Sequence, residues 1–147
     1  MTSRIALAVL ASLMLGLGAC GGAGMASADN INPAAVERFI GKRLPRNATA
    51  IRSDGESGVD TRTLLRFDAP AAEAAGFAAR VLGRDPRPGE DPIIGHFGQG
   101  VDWWTPLAGP GSAGGRADDP ARNRSFRVLV VPASGGMATV WLVAFSR

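Results

Sequence analysis

Phe126-Arg127-Val128-Leu129-Val130-Val131, then Pro132-Ala133-Ser134-Gly135-Gly136, then Met137-Ala138-Thr139-Val140-Trp141-Leu142-Val143-Ala144-Phe145 is the stretch that decides the fold. Two β-branched and apolar runs joined by Pro, Ser and Gly residues predict a β-hairpin. In the second run Trp141, Val143 and Phe145 fall on one side of the pleat, and Val140, Leu142 and Ala144 on the other. Both sides are apolar, which predicts a strand inside the sheet or one covered on both faces.

Working back from this hairpin, Pro70 opens a predicted helix over 70–82, with Asp68 or Ala69 as its cap. Ala74, Phe77, Ala78 and Val81 form its inner stripe, and Gly83 suits its C-terminal end. Before it, residues 59–67 alternate. Val59, Thr61, Thr63, Leu65 and Phe67 lie on one side, Asp60, Arg62 and Arg66 on the other, with Leu64 as the exception. With a short strand over 48–53 and the turn Asp54-Gly55-Glu56-Ser57-Gly58, this predicts a second hairpin. Asn32-Pro33 marks a helix start, and Val36, Phe39, Ile40 and Leu44 recur at helical spacing until Pro45 ends it. Ile31 is placed to staple onto Val36.

The order α-β-β-α-loop-β-β predicts an α+β domain over 32–147, an antiparallel sheet of two β-hairpins with two helices packed on one face. The loop is a long Gly/Pro-rich insert over about 84–124, and loops of that length are functional or disordered. Within it, 110–122 is the segment expected to be disordered. Two apolar islands interrupt it, Asp91-Pro92-Ile93-Ile94-Gly95-His96-Phe97 and Asp102-Trp103-Trp104-Thr105-Pro106-Leu107. Neighbours in an extended segment point opposite ways. One of Trp103 and Trp104 can therefore cover the core while the other offers a stacking platform to a sugar ring or a partner's apolar anchor. The alternative is that both tie the loop to the sheet. His96 is the single His, and catalysis through it would need a nucleophile or carboxylate such as Asp91, Asp102 or Ser112 beside it.

A chain of 147 residues has room for one domain. Net charge is +3 with 16 Lys and Arg against 13 Asp and Glu, and the arginines are interleaved with acids rather than gathered on one stripe. That distribution argues against a nucleic-acid binder. One Cys excludes an internal disulfide, one Cys and one His leave no ordinary zinc site, and no cofactor motif occurs. No metal and no cofactor are expected. Asn47-Ala48-Thr49 and Asn123-Arg124-Ser125 fit the glycosylation pattern but read as accidental.

Met1-Thr2-Ser3-Arg4 is a short positive start, and residues 5–17 form an apolar run shorter than the ~20 residues that span a bilayer. This is the pattern of a secretory signal peptide. Leu17-Gly18-Ala19-Cys20 follows it and resembles the lipobox of bacterial lipoprotein precursors. The resemblance covers the leader only. It implies a signal peptide over 1–19, lipidation of the Cys20 thiol, and a flexible Gly-rich tether over 20–31. A membrane then holds the protein by its N-terminal lipid, on the extracytoplasmic side of the cell envelope. A competing site, Ala26-Ser27-Ala28 before Asp29, would instead release a soluble periplasmic or secreted form.

The expected role is a non-catalytic binding or interaction module whose contacts include Trp103, Trp104 and His96, meeting an envelope protein or a glycan. The alternatives are a small secreted hydrolase built on His96 and an acidic residue, or a periplasmic inhibitor or assembly factor.

Overall fold

The computed structural model describes residues 32–56, 61–92 and 94–146. Residues 1–31, with the expected signal peptide, Cys20, the expected tether and Ile31, lie outside the described residues, as do Ser57, Gly58, Val59, Asp60 and Ile93. Two helices, α1 (Pro33–Ile40) and α2 (Ala71–Leu82), accompany six strands: β1 (Thr49–Glu56), β2 (Arg62–Pro70), β3 (Arg87–Pro88), β4 (Ala113–Asp119), β5 (Arg124–Pro132) and β6 (Met137–Ser146). The strands form one antiparallel sheet in the order β1-β2-β6-β5-β4-β3, an α+β fold.

Both helices lie on the same face. Val36 and Ile40 of α1 join Ala74, Phe77, Ala78, Val81 and Leu82 of α2 against Leu65, Phe67, Val128, Val140 and Leu142 of the sheet. Phe67 and Phe77 meet edge to face at 5.1 Å, a favourable quadrupole arrangement. β6 is central, between β2 and β5, and both of its faces are covered. Val140, Leu142 and Ala144 lie in the cluster with the helices, and Trp141 and Val143 in a second cluster on the opposite face, which is why both sides are apolar.

α1 ends at Ile40, four residues before the Leu44 expected from periodicity. Gly41 adopts the left-handed conformation (φ 72°) and its N–H closes on the Glu37 carbonyl, so the helix is capped there. Leu44 still packs against the core, and its N–H donates to the Glu37 carboxylate at 2.8 Å. A Cβ at Gly41 would meet Arg122 only at 3.5 Å, so the space is open and the backbone conformation is the obstacle. Gly41→Ala is therefore expected to lower the unfolding free energy by about 1 kcal/mol, read by urea denaturation; no loss would show that the αL cap contributes nothing.

α2 begins one residue later than expected, with Pro70 at its cap and no side-chain cap bond. Asp68 is occupied elsewhere, by Arg66 and by the Thr139 hydroxyl at 2.6 Å.

The largest departure lies in the insert. Residues 113–119, inside the segment expected to be disordered, form β4 and pair with β5 from Ala113↔Val130 to Asp119↔Arg124. The sheet thus extends beyond the two expected hairpins, through β4 to the two-residue β3, and all five of its strand pairings are antiparallel. Small residues hid it: Gly114 and Gly115 give no alternation to read, yet both are buried because neighbours crowd them. A Cβ on Gly114 would lie 2.5 Å from the Glu90 carbonyl and 2.8 Å from that of Val128. A 3₁₀ turn, Pro120–Arg122, joins the two strands. Asp119 accepts from the Arg122 backbone and side chain there, and that side-chain bond lowers its pKa below the usual carboxylate value.

Candidate functional site

The sheet face away from the helices is also covered, by the rest of the insert. Leu64, Leu129, Trp141 and Val143 of the sheet pack against Ile94 and Trp104 of the loop, with Phe97, Val101, Trp103, Val131 and Phe145 around them. Leu64, the exception in the β2 alternation, belongs to this second layer and is fully buried. Polar bonds fasten the loop down. The Arg62 guanidinium donates to the Phe97 carbonyl, and that of Arg127 to the Pro92 carbonyl at 3.3 Å while its Cζ stands 5.1 Å from the centre of the Phe97 ring.

Trp103 and Trp104 divide between the two roles. Trp104 is 5% exposed, its Nε1 donates to the Ile94 carbonyl at 3.0 Å, and its ring meets Trp141 edge-on at 5.2 Å. Its ring fills the space where Gly98 has no side chain, since a Cβ there would fall 2.0 Å from Trp104 Cδ1. Trp104 is a core residue of the second layer, so it does not serve as an outward platform. Trp103 is only half-buried and stands at 5.8 Å from Trp104, ring centre to ring centre.

Trp103 forms one wall of a cleft of ≈ 310 Å³ whose other lining residues are Arg52, Arg66, Thr105 and Trp141. Strand register brings the sheet residues together. Arg52 of β1 stands opposite Arg66 of β2, and Arg66 opposite Trp141 of β6, in one row across the sheet. The Arg66 guanidinium lies 5.7 Å from the Trp141 ring centre and donates twice to Asp68, at 3.0 and 3.1 Å. Its other terminal nitrogen donates to the Ala50 carbonyl at 3.2 Å.

A one-residue bulge puts Arg52 in that row. From Thr49↔Asp68 to Arg52↔Arg66, β1 advances three residues while β2 advances two. The extra residue flips the alternation, turning Ile51 to the helical core and Arg52 to the cleft side. Ala50 adopts φ 47° at the bulge, a conformation costing a non-glycine residue about 1–2 kcal/mol. Arg52 is exposed, and among the described residues its side chain makes no hydrogen bond and no ion pair.

The other residues named from sequence lie elsewhere. His96 is exposed on the 3₁₀ turn Gly95–Gly98, and its ring packs on Phe97 at 3.9 Å. Among the described residues its side chain makes no hydrogen bond. Ser112 is buried and its hydroxyl accepts from the Gly109 N–H, holding a turn. Leu107, beyond the tryptophans, is 80% exposed. Cys20 lies outside the described residues, among which no group of His, Cys, Asp and Glu could hold a metal and no helix is long and apolar enough to cross a membrane.

Arg52 and Arg66 were missed because an Arg opposite an apolar strand face reads as solvated. Leu64 was the available signal. A buried Leu on the Arg62–Arg66 side shows that this side is covered too.

No protein-family model matches the chain, and neither a curated protein nor a solved structure is similar to it.

Proposed function

We propose that this chain is an exported protein, lipid-anchored at Cys20 to the extracytoplasmic side of a cell-envelope membrane, and that it works as a non-catalytic binding module. Its contact surface is the cleft under Trp103, and its partner is an envelope protein or glycan. The observation that carries the binding role is the cleft itself: a half-buried aromatic ring, an uncommitted guanidinium and a second guanidinium held in place by Asp68 converge on one concave surface. The lining is mainly polar, two guanidiniums and a hydroxyl beside the aromatic rings, which suits a polar, charged ligand rather than an apolar one. The lipobox-like Leu17-Gly18-Ala19-Cys20 supports the anchor.

The hydrolase alternative asks for a polar partner at His96, and the described residues supply none. The His96 ring packs on Phe97, a contact that cannot activate a nucleophile.

Two measurements test the reading. The intact mass of the protein recovered from membranes is expected to show a chain beginning at an acylated Cys20; a chain beginning at Asp29 overturns the anchor. A pull-down from envelope extract is expected to capture a partner with the processed protein and to lose it with Trp103→Ala. Equal capture by both overturns the cleft as contact surface.

A further inference from the structure

We infer that the ligand of this cleft is an anion borne on a saturated ring, an acidic sugar such as a uronate or a sugar phosphate, with Arg52 as its anchor and Trp103 as its stacking wall. The inference rests on the binding-module reading and narrows it to a chemical class.

Charge is the first reason. Side chains directly opposite on an antiparallel pair sit close together, and like charges there are unfavourable. Arg66 is matched by Asp68, but Arg52 faces it with no acidic partner among the described residues; Asp54, two positions along β1, makes no ion pair with it either. A carboxylate or phosphate in the cleft would supply that missing charge, and the planar guanidinium can bind either through two parallel N–H bonds.

Aim is the second reason. Without the bulge, Ile51 rather than Arg52 would stand opposite Arg66, so a strained Ala50 is maintained where it brings the free cation to the cleft. The Ala50 carbonyl is in turn held by Arg66, which links the bulge to the site. Arg66 spends its terminal nitrogens on Ala50 and Asp68, so it shapes the cleft while Arg52 keeps its donors for the ligand.

The wall is the third reason. Trp103 is held on a loop fastened to the sheet by Trp104, so its ring is presented rigidly and keeps part of its surface open. A ring face of that kind takes the C–H face of a sugar, and the Thr105 side chain at the rim adds a hydroxyl able to meet those of the sugar.

The test uses the processed protein in detergent, titrated separately with glucuronate, glucose 6-phosphate and glucose, and followed by calorimetry and tryptophan fluorescence. Glucuronate or glucose 6-phosphate is expected to bind and change the fluorescence, with glucose at least tenfold weaker. Arg52→Gln, at an exposed position outside both cores, is expected to fold normally and to weaken the anionic sugar about tenfold to a hundredfold, the size of a lost charge-assisted contact. Trp103→Ala is expected to weaken it as well and to remove most of the fluorescence change. Glucose binding as tightly as its acidic counterparts, or Arg52→Gln binding them unchanged, overturns the inference. If the processed protein captures an envelope protein that excess glucuronate does not displace, the binding module stands and the sugar class falls. If neither sugar nor extract yields a partner, both fall.

Discussion

Trp104→Ala is expected to lower the unfolding free energy by about 3–5 kcal/mol, the range for removing a large buried aromatic side chain. The indole meets Trp141 edge-on and belongs to one buried cluster with Leu64, Ile94, Leu129 and Val143, so truncation leaves a cavity the size of an indole in that layer. Truncation also strips the Ile94 carbonyl of the Nε1 donor that satisfies it in a buried setting, a further cost of about 1–3 kcal/mol where water does not enter. The loop from Ile94 to Thr105 then loses its main fastening, so the cleft is expected to open with it. Gly98→Ala approaches the same region from the opposite side. Its new methyl would overlap Trp104 from Cβ to Cδ1, at 2.6 to 2.0 Å, and the indole is walled in by Trp141 and Ile94. Urea denaturation followed by far-UV circular dichroism reads both variants. Trp103→Ala is the control, expected to cost far less because Trp103 is only half-buried. A Trp104→Ala loss below about 1 kcal/mol would show that the loop layer is not part of the cooperative fold.

The second large effect lies on the other face. Phe67→Ala is expected to cost about 3–5 kcal/mol as well, since Phe67 is fully buried at the contact between β2 and α2. Its ring is the edge-to-face partner of Phe77 and packs among Val36, Ile40, Val128 and Val140 in one continuous cluster. The two substitutions should differ in where the structure loosens. Phe67→Ala is expected to lower amide-exchange protection across α2 and α1, whereas Trp104→Ala lowers it first in residues 94–105. Protection lost equally everywhere in both variants would mean that the two layers unfold as one.

Much of this fold was legible along the chain, and particular residues show why. The runs Phe126–Val131 and Met137–Phe145 pair as a hairpin because their β-branched and aromatic side chains suit a pleated, buried surface. The stripe Ala74, Phe77, Ala78, Val81 marks α2 because helical spacing puts those four on one side. β4 was illegible for the converse reason. Ala113-Gly114-Gly115-Arg116-Ala117 offers no side-chain pattern, and its strand geometry comes from pairing with β5 and from the close approach of the Glu90 backbone.

The candidate site was half legible. Trp103-Trp104 stands out in any reading, and extended geometry predicts that one faces in and one out. Which is which was undecidable, because both have the same neighbours in sequence and differ only in the fit of Trp104 against Gly98 and Trp141. Arg52 and Arg66 are 14 positions apart, and nothing local announces that they meet.

The order of amino acids determined by itself the two helices, the terminal hairpin and the apolar character of both sides of β6, because each depends on side chains within a few positions of one another. The tertiary structure alone decided that the Gly-rich segment is a strand, that a loop rather than a helix covers the second face, and that a bulge turns Arg52 toward Arg66 and Trp103. Those features arise from contacts between residues remote along the chain, where shape and register select the partner and local periodicity is silent.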